Sequence, residues 1–292
     1  MKAGHIPRRG TRAAEMLRAM LTRPSGVIGL TLVALHLVIA LISPWIVPYA
    51  YTSMDSGQTL AGPSAAHWLG TDHLGRDVLT RVLLGGREAL LITGTATPIA
   101  LMWGGGLGIY LGLMGGWRDE VAMRLVDAFL ALPGILPLLV LITVFGTGGE
   151  VLMPTLAFFF GIPVIRVARA AAHEVVARDF ISAARARGHR PLHIVRQEIL
   201  PNVTDTLLVE GAMRWSWMLL GFSALSFLGF GVSPPKPDWG LMVSDARIFM
   251  SLAPWGVLAP VIALSTLIIG INLTADALAK TLGLDHSRKA VI

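Results

Sequence analysis

Long apolar runs without charge organise this chain. Six stretches contain no Asp, Glu, Lys or Arg: residues 24–54, with an apolar core over 27–47, then 89–117, 128–149, 151–165, 215–235 and 248–275. Crossing a hydrocarbon layer of about 30 Å takes about 20 helical residues at about 1.5 Å each, so five runs are long enough as they stand. The fourth reaches that length by extending past Arg166 and Arg169, whose side chains can snorkel to the interface. None of the runs alternates apolar with polar positions as a barrel wall does, so strands are excluded and six helices are predicted. Only residues 146–150 separate the third and fourth runs, which predicts antiparallel neighbours.

Composition agrees with lipid as the solvent. Of 292 residues, 54% are hydrophobic and 14% charged, with a mean hydropathy of +0.66, whereas soluble domains carry about 45–50% and about 25%. Low charge excludes disorder, unpatterned glycine excludes a collagen-like repeat, and the absence of cysteine excludes a disulfide scaffold and thiolate metal sites. In a soluble chain a net charge of +6 would point to nucleic acid; here position matters more than the sum. Lys2, Arg8, Arg9, Arg12, Arg18 and Arg23 precede the first run, and Arg118 and Arg124 lie between the second and third. Arg166, Arg169, Arg178, Arg185, Arg187, Arg190 and Arg196 follow the fourth, and Lys280, Arg288 and Lys289 follow the sixth. The other side holds Arg76, Arg81, Arg87, Lys236 and Arg247, and Arg214 stands at a run edge. The positive-inside rule therefore predicts both termini in the cytoplasm and no nucleic-acid partner. The first run is too long for a usual signal-peptide core and lacks a convincing cleavage site after it, so it reads as a retained signal anchor.

Within the runs, Gly94, Pro98, Gly104, Gly105, Gly106, Gly108 and Gly112 interrupt the second, and Pro133 and Pro137 the third. Tight helix packing and a water-lined path account for them equally well. Arg124 and Asp127 are three apart at the start of span three, and Glu210 and Arg214 four apart at the start of span five, so each pair can share a helix face. Asp276 is the one loose acid, and His36 reads as a packed neutral histidine. A secondary transporter usually carries carboxylates at mid-membrane, and the span centres here are nearly free of charge. The chain has no GxxxxGK[ST] loop, HExxH pair or GxSxG elbow, so no catalytic residues are assigned.

The most informative segment lies between spans four and five. Through Arg187 it reads as a helix rich in Ala and Arg; Gly188 suits the position just past its end and Pro191 the first turn of the next. The prediction is a cytoplasmic helix-turn-helix; the alternative is a basic amphipathic loop on anionic lipid. Near the second span, Asp72, Arg76 and Asp77 carry opposite charges within six residues, and Gly70 and Gly75 permit sharp turns, so local ion pairs are expected there.

The run Ala183, Ala184, three residues, Gly188, eleven residues, Leu200, Pro201 resembles the EAA loop of binding-protein-dependent ABC importer permeases. Leu69, Gly70, Thr71, Asp72, Gly75, Arg76 and Asp77, with Arg81 following, resemble the segment after the first span in the C-type permeases of the dipeptide, oligopeptide and nickel group. Gly115, Trp117, Asp119, Arg124, Asp127 and Pro133 are similar to that group's approach to span three, and Leu225, Ser226, Gly229, Gly231, Pro235 and Trp239 to the end of its span five. Ser182, Glu198, Phe222, Lys280 and Gly283 depart from the group's pattern.

The resemblance implies an all-α membrane protein of six transmembrane helices, with a coupling loop between helices 4 and 5. Domain boundaries follow: a cytoplasmic tail at 1–25, a first helix at 26–47, an extracytoplasmic segment at 48–87, a core of five helices at 88–278 with the loop at 171–203, and a tail at 279–292. It further implies a B-type permease partner, two ATP-binding subunits that hold ATP and Mg, and an extracytoplasmic solute-binding protein, with no cofactor on this chain. Asp179, Ala183, Ala184, Arg185, Gly188, Leu200 and Pro201 would face the ATPase, with Arg185 and Arg187 orienting it. The implied location is the bacterial cytoplasmic membrane and the implied cargo short peptides, with nickel, a metallophore or an opine as alternatives. A channel, a secondary transporter or a membrane enzyme are the competing classes. His67 and His73, or His189 and His193, make poor metal sites in pairs, so no metal site is assigned.

Overall fold

In the computed structural model, residues 9–284 are described, and among them every regular element is a helix. Lys2, Arg8, Arg288 and Lys289 lie outside the described residues. A short basic helix, α1 (Arg9–Leu21), turns into α2 (Pro24–Ile46), which starts with proline in its first turn. After an irregular segment come α3 (Val78–Met114), α4 (Gly116–Leu130), α5 (Ile135–Phe145) and α6 (Gly149–Val176). Then follow α7 (Asp179–Ala186) and α8 (Pro191–Ile194), which runs through a π turn (Val195–Ile199) into α9 (Leu200–Phe227); α10 (Trp239–Ala246) and α11 (Trp255–Thr281) complete the chain.

Four helices, α2, α3, α6 and α11, are long and apolar enough to cross a membrane on their own. The third apolar run is not one straight span. Helices α4 and α5 meet at 86° across residues 131–134. Pro133 cannot donate a backbone hydrogen bond and disfavours helical geometry in Leu132 before it, and α5 restarts with the Leu136 amide on the Pro133 carbonyl at 2.9 Å. Counting the bent pair as one broken span gives five. Helix α9 has 28 residues, long enough to cross, but carries Asp205, Glu210 and Arg214 along its length. Helix α3 begins ten residues before the boundary expected at 88 and reaches 37 residues, because Asp77 caps it by accepting from the Thr80 amide at 2.7 Å.

The bundle is organised by α3 against α6, its most extensive helix pair. Gly104, Gly108 and Gly112 form one face of α3 at four-residue spacing. A Cβ on Gly104 would lie 2.2 Å from the Gly161 carbonyl oxygen, and one on Gly108 2.4 Å from that of Ile165 and 2.8 Å from the Ala168 Cβ. Lipid gives apolar helices no hydrophobic drive to associate, so such close backbone contact supplies the attraction. Indoles add hydrogen bonds across the bundle: half-buried Trp103 Nε1 donates to the Ala157 carbonyl at 2.9 Å, half-buried Trp215 Nε1 to Thr93 Oγ1 at 3.0 Å, and buried Trp239 Nε1 to the Val82 carbonyl at 2.8 Å. Helix α2 packs mainly on α11, where buried His36 places Nδ1 2.9 Å from the Leu32 carbonyl and Nε2 3.0 Å from that of Ala263.

Gly104→Leu and Gly108→Leu should force α3 off α6 and destabilise the protein by about 3 kcal/mol or more. Gly94→Leu and Gly106→Leu, where a Cβ meets nothing within 4 Å, should be nearly neutral. Thermal unfolding in detergent measures both; equal losses at all four positions would remove close packing as the cause.

Candidate functional site

Helix α7 hangs below the bundle on a second apolar core. Ile181 and Ala184 of α7, Ile194 of α8 and Ile199 of the π turn are buried against Ile109, Leu113, Ala168, Ala172 and Val175 of α3 and α6. The helix ends in a Schellman motif: the Gly188 amide donates to the Arg185 carbonyl at 2.9 Å and that of His189 to the Ala184 carbonyl at 3.2 Å. Gly188 has φ +77°, where a Cβ costs about 1–2 kcal/mol, and the space around it is open.

Asp179, Ala183, Leu200 and Pro201 are exposed on this loop. Ala184 is not; it is fully buried in the chain's own core, so Ala183 alone of the pair is open to another protein. Arg185 is exposed, and one Nη donates to the Leu113 carbonyl at 3.1 Å, tying the loop to the end of α3. The second helix of the predicted helix-turn-helix is only one turn long before it merges, through the π turn, with the long α9.

At the same end, α4 is fastened to α6 by ion pairs that sequence spacing did not identify. Arg169 binds Asp119 in a two-pronged pair, with His173 Nε2 at 3.7 Å. Asp127 pairs with Arg166 at 3.6 Å rather than with Arg124, which is exposed and makes no ion pair among the described residues. Three-residue spacing permits a local pair, but the facing helix offers the nearer guanidinium. Asp276 is not loose: Lys280, one turn on, lies 2.7 Å away. The Glu210 and Arg214 pair does form, near the middle of α9, which begins at Leu200.

The opposite end gathers the segment around Asp72. Its carboxylate accepts from the Leu74 and Arg76 amides at 2.9 and 3.0 Å and from Arg76 Nε at 2.7 Å, with Arg81 Nε at 3.8 Å. Arg76 also reaches Asp245 at 3.9 Å, and Arg81 Nη1 donates to the Tyr51 and Pro235 carbonyls at 3.3 and 3.5 Å, so segment, α3 and the chain around α10 are tied together. Gly70 and Gly75 take φ +68° and +71°, and Thr71 Oγ1 accepts from the Ala61 amide and donates to the Gln58 carbonyl. Asp77 serves the α3 cap and His67, 2.9 Å away, rather than an arginine. Ser226 and Gly229 stand at the end of α9: Ser226 is fully buried, and Gly229, at φ +86°, closes a second Schellman motif with Phe230 on Leu225.

Among the described residues no group of three or more His, Asp or Glu side chains could hold a metal. His189 and His193 meet edge to face at 4.5 Å, and His73 stacks on Phe249 at 5.5 Å.

Asp238 escaped the sequence reading, although an Asp immediately before an apolar stretch is a helix-start signal. It caps α10 through the Leu241 amide at 3.2 Å. Burial, only partly offset by the hydrogen bond from the Leu241 amide, pushes its carboxyl up to about 6. The unfolded group titrates near 3.9, so between these values the folded state holds more protons and stability falls as pH rises. Thermal unfolding should show Asp238→Asn equal to the unsubstituted protein near pH 4 and more stable above pH 6, by up to about 3 kcal/mol. A difference independent of pH would exclude the ionisation as its source.

Residues 104–283 match the family described as binding-protein-dependent transport system inner membrane component, and residues 11–63 match the N-terminal TM domain of oligopeptide transport permease C. The dipeptide transport system permease protein of Alkalihalophilus pseudofirmus is 32% identical over 269 residues, covering 92% of this chain and 88% of that one. Glutathione transport system permease proteins are similar too: that of Pectobacterium atrosepticum is 32% identical over 92% of this chain and 89% of its own length, and that of Escherichia coli 34% over 86% and 83%. The chain belongs to the family of binding-protein-dependent transport system inner membrane components and is a permease subunit of an ABC importer.

Proposed function

We propose that this permease forms half of a path for short peptides across the bacterial cytoplasmic membrane, with a B-type permease as the other half. Two ATP-binding subunits would hydrolyse ATP with Mg, and a solute-binding protein would deliver cargo from outside. The reading of cargo is supported by the names of the relatives, which refer to a dipeptide and to glutathione. Nickel, a metallophore or an opine is the alternative.

The observation that carries this reading is α7, an exposed helix fastened to the ends of α3, α6 and α9 by its own apolar core. A subunit that pulls on α7 moves those helices with it, which is what coupling ATP hydrolysis to alternating access requires. Six crossings with both termini inside would be made by α2, α3, the bent pair α4 and α5, α6, α9 and α11. Support comes from the polar contacts: Arg166 and Arg169 pair with acids of α4, and Arg23 donates to the Lys280 carbonyl at 3.5 Å, all among residues assigned inside. Arg76 with Asp245 and Lys236 with Glu88 are all among residues assigned outside.

Reporter fusions at Gly62 and Pro237 should read extracytoplasmic and one at Arg190 cytoplasmic; a cytoplasmic signal at Gly62 would overturn this topology. Gly188→Val should leave the helices inserted, weaken copurification of the ATP-binding subunits and stop uptake. Normal assembly and transport by that variant would show that the loop does not couple the two.

A further inference from the structure

We infer that Arg214 is the point in the translocation path that receives a carboxylate of the peptide in transit, an inference that rests on the short-peptide reading above. Three features of the same place support it. Helix α9 runs 28 residues with Arg214 at its midpoint, about 20 Å from either end at 1.5 Å per residue. The six crossings proposed above would place this part of α9 inside the membrane, where ionisable side chains are costly and face a protein interior or a water-filled cavity. Arg214 does line a cavity, of about 390 Å³, between α9, α6 and the break that separates α4 from α5. Broken helices are tolerated at membrane depth where irregular backbone lines such a space.

The charge is presented in one direction. Arg214 Nε is engaged by Glu210 Oε1, one turn back on α9. Glu210 is the more buried partner and is not part of the cavity wall, whereas Arg214 is. With Nε held, the Nη groups are what the guanidinium can offer to a second acceptor, and its planar fork suits a carboxylate. Gly134, which precedes α5 at the break, and Ile135, its first residue, lie on the same wall and add the positive end of a helix. Phe129, Phe159, Phe160 and Trp217 supply the remaining apolar surface, which tolerates varied side chains without binding them by charge. A peptide always carries a terminal carboxylate whatever its side chains, so one cation in an apolar chamber fits cargo that varies in sequence.

The chain has no cysteine, so one introduced into the same wall reports on this cavity alone. In the complete transporter, with labelling read from the mass of this chain, Leu220→Cys should react faster with an anionic methanethiosulfonate than with a cationic one, by about tenfold relative to a free thiol. Dialanine during turnover should protect it. Adding Glu210→Gln and Arg214→Gln together, which leaves no unpaired charge, should abolish the charge preference and lower dialanine uptake at saturation by about tenfold. No labelling, labelling indifferent to charge, or unchanged uptake in the double variant would overturn the inference. Failure of the unsubstituted transporter to import dialanine would instead overturn the short-peptide reading itself.

Discussion

How closely α3 and α6 can approach decides the rest of the structure. Their backbones meet where Gly104 faces Gly161 and Gly108 faces Ile165 and Ala168, and each contact leaves no space for one more carbon. In lipid, neighbouring acyl chains are as apolar as leucine, so dispersion between close backbones and a few interhelical hydrogen bonds must hold the helices together. The Trp103 indole, donating to Ala157 beside this contact, is one of those bonds. Once the pair is fixed, α9 packs against both members, and the ends of α3 and α6 create the apolar recess into which Ile181 and Ala184 of the loop fit.

Polar groups are then sorted to the two ends of the pair. Asp119 and Arg169 hold α4 down onto α6 at the loop end, and Asp72, Arg76 and Arg81 hold the segment before α3 at the other. Arg81 is 2% exposed and reaches the carbonyls of Tyr51 and of Pro235, the latter 154 residues away in sequence, which makes it a clasp between distant chain segments. A buried cation used in this way is stabilised only while every partner stays in place. The segment before α3 is therefore tied to α3 and to the chain around α10 through one connected set of charges.

Most of the span pattern was legible because lipid imposes a one-dimensional signal: apolar length without charge. The runs around 27–47, 89–117 and 248–275 fall largely within α2, α3 and α11 for that reason. The break between α4 and α5 was not legible, since Pro133 and Pro137 are compatible with a kink as well as with two separate helices, and only packing decides the angle. Partner choice failed similarly. Spacing pointed Asp127 to Arg124, yet Arg166 stands across from it on α6. The motif around Gly188 marked the loop's position but not its orientation: nothing in two adjacent alanines tells which faces inward, and Ala184 is buried while Ala183 is not.

The connection from loop to membrane interior follows from continuity of one helix. Helix α8 starts at Pro191, and the chain stays helical through Val195–Ile199 to Phe227. Its early residues belong to the loop's core through Ile194 and Ile199, and its middle carries Arg214 to the cavity wall. A helix resists bending except where its hydrogen-bond ladder is altered, and here the alteration is the π turn, at the boundary between loop and bundle. Force applied at α7 and α8 must therefore either turn α9 as a rod, carrying Arg214 with it, or be absorbed at those five residues. The same chain stretch that fastens the loop to the bundle thus governs how far a movement outside the membrane reaches into it.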